Sequence, residues 1–217
     1  MTAIDGRGIA GNYLPSRYHY WYVRSKLAMD PLYAAALRVF SQNRAPLLDV
    51  GCGIGLLPLC LNAQVDGLNY LGVDIDAGKI DIARSATMHA GVKGVRFEVA
   101  DLTLGFPSHS GSVAILDVVQ YLAPAARDEL LAAAARRVAP EGVLVMRVGL
   151  DDQSWRAAIT RMADRLGHSA RWMSTAPQGQ PTRRGLAEIL SRQGLRCEFT
   201  SLSGRLPFNN WLVVGRR

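Results

Sequence analysis

Pro46-Leu-Leu-Asp-Val-Gly-Cys-Gly-Ile-Gly-Leu-Leu57 is the stretch whose reading decides the fold. Apolar residues broken only by Asp49 predict a buried strand. Glycines at 51, 53 and 55 predict a turn, and the leucines from 56 onward a helix. Glycine adopts positive φ without a Cβ clash and lets a ligand approach the backbone, while the free N–H groups that open a helix attract negative charge. A strand, a glycine turn and a helix in that order predict a ligand at the turn.

Spacing separates two ligand classes. A dinucleotide fingerprint wants glycines at i, i+2 and i+5, but Leu56 stands at the last of these places and Gly55 comes one residue early. Asp49, two residues before the first glycine, would oppose a pyrophosphate and suit a cation. S-adenosylmethionine carries a sulfonium and an ammonium against one carboxylate, and it is the expected cofactor. Leu48-Asp-Val-Gly-Cys-Gly-Ile-Gly55 resembles the first motif of class I S-adenosylmethionine-dependent methyltransferases of the small-molecule type. The resemblance implies an α/β, Rossmann-like, seven-stranded, mostly parallel sheet with an antiparallel last strand and an N-terminal helical lid. It divides the chain into a helical cap over residues 1–45 and a methyltransferase domain over 46–217.

Downstream acids extend the pattern. Tyr70-Leu-Gly-Val-Asp-Ile-Asp76 reads as the next strand, and Asp74 lies 19 residues after Gly55, near the ~20 expected of a carboxylate that accepts from ribose hydroxyls. Ile75 is expected against the adenine, and Asp76 at the cap of a helix over 77–90. Val95 to Asp101 reads as a third strand. In the methyltransferase pattern its final acid, Asp101, accepts from the adenine amino group beside Leu102. Ser112 to Leu122 is the fourth strand and its exit, placing Asp117 and Tyr121 beside the methyl group. The exit lacks the tetrapeptide of enzymes acting on base nitrogen. Gln120 stands where related enzymes often carry a histidine base, and an amide takes no proton. Asp117, which also borders the cofactor, and Tyr121 are the catalytic candidates; His19 and His168 are alternatives for proton removal.

Upstream, residues 1–16 are glycine-dotted and polar and are expected to be loose until docked. Tyr18-His-Tyr-Trp-Tyr22 crowds four aromatic rings onto one helix, some of which are expected to cover a ligand. Tyr20 shares a helix face with Arg24, and Tyr22 with Lys26. Arg24 is expected to meet the cofactor carboxylate or an acidic substrate, the alternative being a surface cation. Asp30-Pro31 caps a second helix through Phe40.

Downstream, Pro124 to Val138 reads as a helix and Val143 to Val148 as a fifth strand. Asp151 and Asp152 cap the next helix in preference to binding a metal, and no metal site is expected. A stripe at 155, 159, 162 and 166 reads as core, and 168–181, with Trp172 and Met173, as a substrate-side loop. Thr182 to Gln193 is the last helix, and Leu195–Leu202 with Trp211–Gly215 the closing hairpin around a 203–210 tip.

Bulk numbers bound the rest. The 217 residues suit one α/β domain, and no apolar run approaches the ~18 residues that span a bilayer. A cytoplasmic protein is expected, with Cys52, Cys60 and Cys197 as reduced thiols outside any CxxC spacing. Residues 1–150 hold 14 Lys/Arg against 13 acids, whereas 151–217 hold 11 Arg against five. That surplus suits an anionic substrate or an acidic acyl carrier protein, or it is a solvated surface. The expected reaction is methyl transfer to a small-molecule or carrier-bound acyl or aromatic acceptor, with nucleic acid disfavoured. The rival classes are an RNA methyltransferase, a non-catalytic S-adenosylmethionine-binding module and, more distantly, a dinucleotide oxidoreductase.

Overall fold

A computed structural model describes residues 4–65, 67–102, 104–151, 179–202 and 209–217. Its strands are β1 (Leu47–Val50), β2 (Tyr70–Asp74), β3 (Val95–Val99), β4 (Ser112–Leu116), β5 (Leu144–Gly149), β6 (Arg196–Ser201) and β7 (Asn210–Arg216). They form one sheet in the order β3-β2-β1-β4-β5-β7-β6. β1 to β5 pair in parallel, and β7 runs antiparallel between β5 and β6. The expected seven-stranded sheet with its reversed last strand is the observed one.

The helices are α1 (Gly6–Gly11), α2 (Arg17–Met29), α3 (Leu32–Phe40), α4 (Leu56–Asn62), α5 (Ala77–His89), α6 (Pro124–Arg136) and α7 (Arg183–Arg192). Alternation along the strands sorts them onto two faces. Leu47, Tyr70, Ala114 and Val145 pack with apolar residues of α1 to α5, whereas Leu48, Val50, Ile115 and Met146 pack with α6 and α7. Each fully buried leucine, such as Leu48, Leu131 or Leu190, contributes roughly 1.5–3 kcal/mol. Covering both faces explains why the central strands are continuously apolar, since a parallel sheet must be buried twice. No helix among the described residues is long and apolar enough to cross a membrane.

Residues 4–16, expected to be loose until docked, are docked in the structure. Asp5 accepts from the N–H groups of Arg7 and Gly8 at 3.1 and 2.9 Å and so starts α1. Ala10 and Tyr13 are buried, the Tyr13 hydroxyl donating to Ile54 O at 3.1 Å. A polar, glycine-rich segment orders here because its few apolar side chains dock on α2 and on the turn after β1. The stripe at 155–166, His168, Trp172, Met173, Asp152 and most of the hairpin tip lie outside the described residues.

Candidate functional site

The strand order reverses between β1 and β4: β1 leads outward to β2, and β4 lies on its other side. In open α/β sheets the crevice beyond the carboxyl ends at such a switch point is where ligands bind. The glycine turn forms one wall. Gly55 caps α4 at φ +73, where a Cβ would meet Ala83 Cβ at 2.8 Å and Phe97 Cζ at 3.0 Å. Gly55→Ala is therefore expected to cost at least about 1–2 kcal/mol from the left-handed backbone alone, read as a lowered urea midpoint.

Gly53 differs: it also has positive φ, +55, yet a Cβ there would meet no protein atom within 4 Å. Its N–H donates to Asp74 Oδ2 at 2.9 Å, and the N–H of Asp76 donates to Oδ1 at 3.0 Å. Two backbone donors thus orient the Asp74 carboxylate at the end of β2 and leave half its lone-pair sites for a ligand. Asp76 caps α5 through the Lys79 N–H, as expected. Ile75, between these acids, is 63% exposed, a large apolar side chain in water at the crevice rim. Asp101 and Leu102 follow β3 on the neighbouring strand, both half-buried.

Asp49 sits beneath the turn. It is 2% exposed, and its Oδ2 accepts the Tyr70 hydroxyl at 2.5 Å while Oδ1 is buried without a partner among the described residues. Burial pushes its carboxyl up to about 7, with Asp74 adding to the rise and the Tyr70 hydrogen bond opposing it. The Tyr70 phenol and the Cys52 thiol beside it are both raised, chiefly by burial.

At the other wall, Asp117 follows β4 at φ +65, unusual for a residue with a side chain. Its carboxylate takes both arms of the Arg147 guanidinium, through Nε and Nη2, and also accepts from Lys26 Nζ at 3.3 Å. Asp30 completes the cluster. Its Oδ2 lies 2.6 Å from Arg147 Nη1 and 3.5 Å from Lys26 Nζ, while its Oδ1 accepts from the Leu32 N–H at 3.0 Å. Two cations and two carboxylates therefore join α2, the start of α3, β5 and the exit of β4. Burial favours the neutral acid at Asp117, but Arg147 and then Lys26 outweigh it and hold the carboxyl down to about 2. A carboxylate held so low is a poor proton acceptor. Tyr121, four residues further in a short 3-10 turn (Val119–Tyr121), is half-buried at the same edge.

On α2, Val23 is fully buried, Tyr20 and Tyr22 pack on the core, and Tyr18 and Trp21 are 57% and 60% exposed. Arg24 is half-buried, and no acid pairs with it among the described residues. His109 donates from Nε2 to the Ser112 carbonyl oxygen at the start of β4, 2.8 Å away. Among the described residues no cluster of His, Cys, Asp and Glu could hold a metal ion.

Sequence reasoning did not find the roles of Arg147, Lys26 and Asp30. A signal existed: Arg147 interrupts the apolar strand Leu-Val-Met-Arg-Val-Gly, and a charge inside a buried strand demands a partner. The identity of that partner depends on the fold.

Residues 47–142 match the family model described as a methyltransferase domain. No curated protein matches the chain. Among solved structures, the pyocyanin biosynthetic protein PhzM is 18% identical with a TM-score of 0.67, covering 94% of this chain and 59% of its own. Magnesium protoporphyrin IX methyltransferase ChlM from Synechocystis PCC 6803, with bound SAH, is 15% identical with a TM-score of 0.66, covering 93% and 88%. A protein titled for conversion of a disulfide bond into a thioacetal group during echinomycin biosynthesis is 23% identical with a TM-score of 0.60, covering 87% and 82%. This chain thus spans less than two thirds of the first of these.

Proposed function

We propose that this chain, whose residues 47–142 match the methyltransferase-domain model and whose described residues form a seven-stranded sheet with a reversed last strand, is a class I enzyme that transfers a methyl group from S-adenosylmethionine to a small-molecule acceptor. The observation that carries the proposal is the Gly53–Asp74 contact at the strand-order switch. The glycine turn spends one N–H on aligning a carboxylate and keeps its own outer side open.

The residues fit the cofactor. Asp74 has acceptor sites left for two ribose hydroxyls, Ile75 offers an apolar surface for a base, and Asp101 stands where an exocyclic amine would be read. S-adenosylmethionine supplies a methyl group on a positively charged sulfur, which becomes a neutral thioether once the methyl has left. The protein's task is then to orient the acceptor and keep water out. The helices before residue 46 serve as the cap: Lys26 and Asp30 tie α2 to the crevice wall, and the Tyr20 and Tyr22 rings give a cation an aromatic neighbour. Arg24, half-buried on the same helix, takes the cofactor carboxylate. Asp117 holds the wall in place rather than accepting a proton, and Tyr121 is the hydroxyl that polarises the acceptor. The C-terminal arginine surplus favours an anionic acceptor or one presented on an acidic carrier.

Calorimetry with S-adenosylmethionine, its demethylated product and NAD tests the reading. Binding of the first two and not the third is the expected result. Asp74→Asn, which keeps the shape but adds donors where acceptors are needed, is expected to weaken both by roughly tenfold or more. Unchanged affinity in that variant would remove Asp74 from the ribose, and tight NAD binding would overturn the assignment.

A further inference from the structure

Gln120 lies in the middle of the short turn that leaves β4, three residues after Asp117, in a segment that packs against β5. It is 9% exposed, and its amide oxygen is buried with no hydrogen-bond donor among the described residues. A buried amide oxygen without a donor is costly, and such a group calls for a partner in the working protein. The turn has no packing need for an amide: Val119, beside it, is fully buried, and a methionine would fill the volume of Gln120 without a polar atom. Nearby, Lys26, Arg147, Asp30 and Asp117 satisfy one another, two positive charges against two negative. This part of the wall offers a ligand no spare charge from that cluster. It offers an acceptor atom.

We infer that Gln120 is a specificity-determining residue whose Oε1 accepts a hydrogen bond from an N–H or O–H of the methyl acceptor. The inference rests on the methyltransferase reading and narrows it: the reacting group, or the atom beside it, carries a proton when it binds and enters this part of the site without a formal charge. A site built to hydrogen-bond such a group rejects an analogue that lacks it, because the amide is then left unpaired.

Two measurements on the full-length protein test this. In the first, the protein is loaded with the demethylated cofactor product, so that no turnover occurs, and phenol and aniline are titrated against anisole and N,N-dimethylaniline by ligand-observed NMR. The wild-type protein is expected to bind each proton-bearing probe about fivefold or more tighter than its methylated counterpart. In Gln120→Met the ratio is expected to fall within twofold of one, with affinity for the cofactor product unchanged. In the second, the ligand-free Gln120→Met protein is expected to melt roughly 2–4 °C higher than wild type, because an unpaired buried atom has been removed. Equal binding of both probe classes to wild type, discrimination that survives Gln120→Met, or a lowered melting temperature would each overturn the inference while leaving the cofactor assignment standing. Failure of wild type to bind the cofactor product would instead remove the methyltransferase reading.

Discussion

Arg147→Met is expected to lower the folding free energy by about 3–5 kcal/mol, the cost of stranding buried charges when one partner of an ion-pair cluster is removed. In the wild-type protein Arg147 forks onto both oxygens of Asp117 and reaches Asp30 with its third nitrogen. Its side chain is 10% exposed, that of Asp30 16% and that of Asp117 30%. Methionine leaves two carboxylates to share Lys26. Lysine at 147 keeps the charge but loses the planar fork, so Arg147→Lys is expected to fall between the two. Urea unfolding at neutral pH measures all three, and a methionine variant within 1 kcal/mol of wild type would show that the cluster is not coupled to folding. The acid limb supplies a second check. Asp117 has a carboxyl lowered from 3.8 to about 2, so its contribution is present above the unfolded value and is lost as pH falls from about 4 toward 2. Solvent at its exposed edge weakens that contribution. Without Arg147 the folded carboxyl rises back toward its ordinary value, so this contribution, and the pH dependence it causes between about 4 and 2, shrinks. The consequence for function follows from which elements are joined: Lys26 and Asp30 lie in and just after α2, so weakening the cluster frees the helix proposed as the cap. A rise in KM for the acceptor is expected before any fall in kcat.

Much of this was legible because a few residue types leave the backbone little choice. Gly51 and Gly53 take the positive φ expected of them, Gly55 does so as well where it opens α4, and Asp76 and Thr182 cap the helices they precede. The strands end earlier than alternation suggests. β2 ends at Asp74, whose carboxylate accepts from the Gly53 and Asp76 amides, and β3 ends at Val99, the residue paired with Asp74. The Gly53–Asp74 contact joins residues 21 apart, and no short window of sequence contains it. The same holds for Arg147, whose partners come from residues 30 and 117. Composition did not show the helix at α1, where one aspartate cap and two buried side chains accompany the docked, glycine-rich turn. Charge at Asp49 was legible as a type of residue but not as a state. Only the fold shows that its carboxylate is closed off from water by Tyr70 and the turn above it.

That closure leads to the second large expected effect, a stability that declines as pH rises from about 4 to about 7. In the unfolded chain Asp49 titrates near 3.8, whereas in the folded protein burial raises it to about 7. Across that window the native state holds a proton that the unfolded chain has released, so the slope of unfolding free energy with pH is negative. Each unit of separation is worth about 1.4 kcal/mol, so the decline amounts to a few kcal/mol. It is complete above about 7, where both states are ionised. The groups that face Asp49 are the Tyr70 phenol, the Asp74 carboxylate and the Cys52 thiol, and the burial that raises the phenol and the thiol keeps both neutral through this range. Asp49→Asn retains an oxygen for the Tyr70 hydroxyl and abolishes the charge. Its stability is expected to match wild type near pH 3.5, below the unfolded value, and to exceed it by a few kcal/mol at pH 8, measured by urea unfolding at the two values. Parallel pH profiles for the two proteins would mean that the native carboxyl titrates at its ordinary value. A carboxylate that is costly to ionise under a ligand turn has a use if the ligand is a cation. At pH 8 the wild-type protein is expected to favour the sulfonium cofactor over its neutral thioether product by a larger ratio than Asp49→Asn does, and at pH 5, with the carboxyl protonated, the two ratios are expected to converge. A ratio equal in both proteins at both pH values would confine Asp49 to packing beneath the turn.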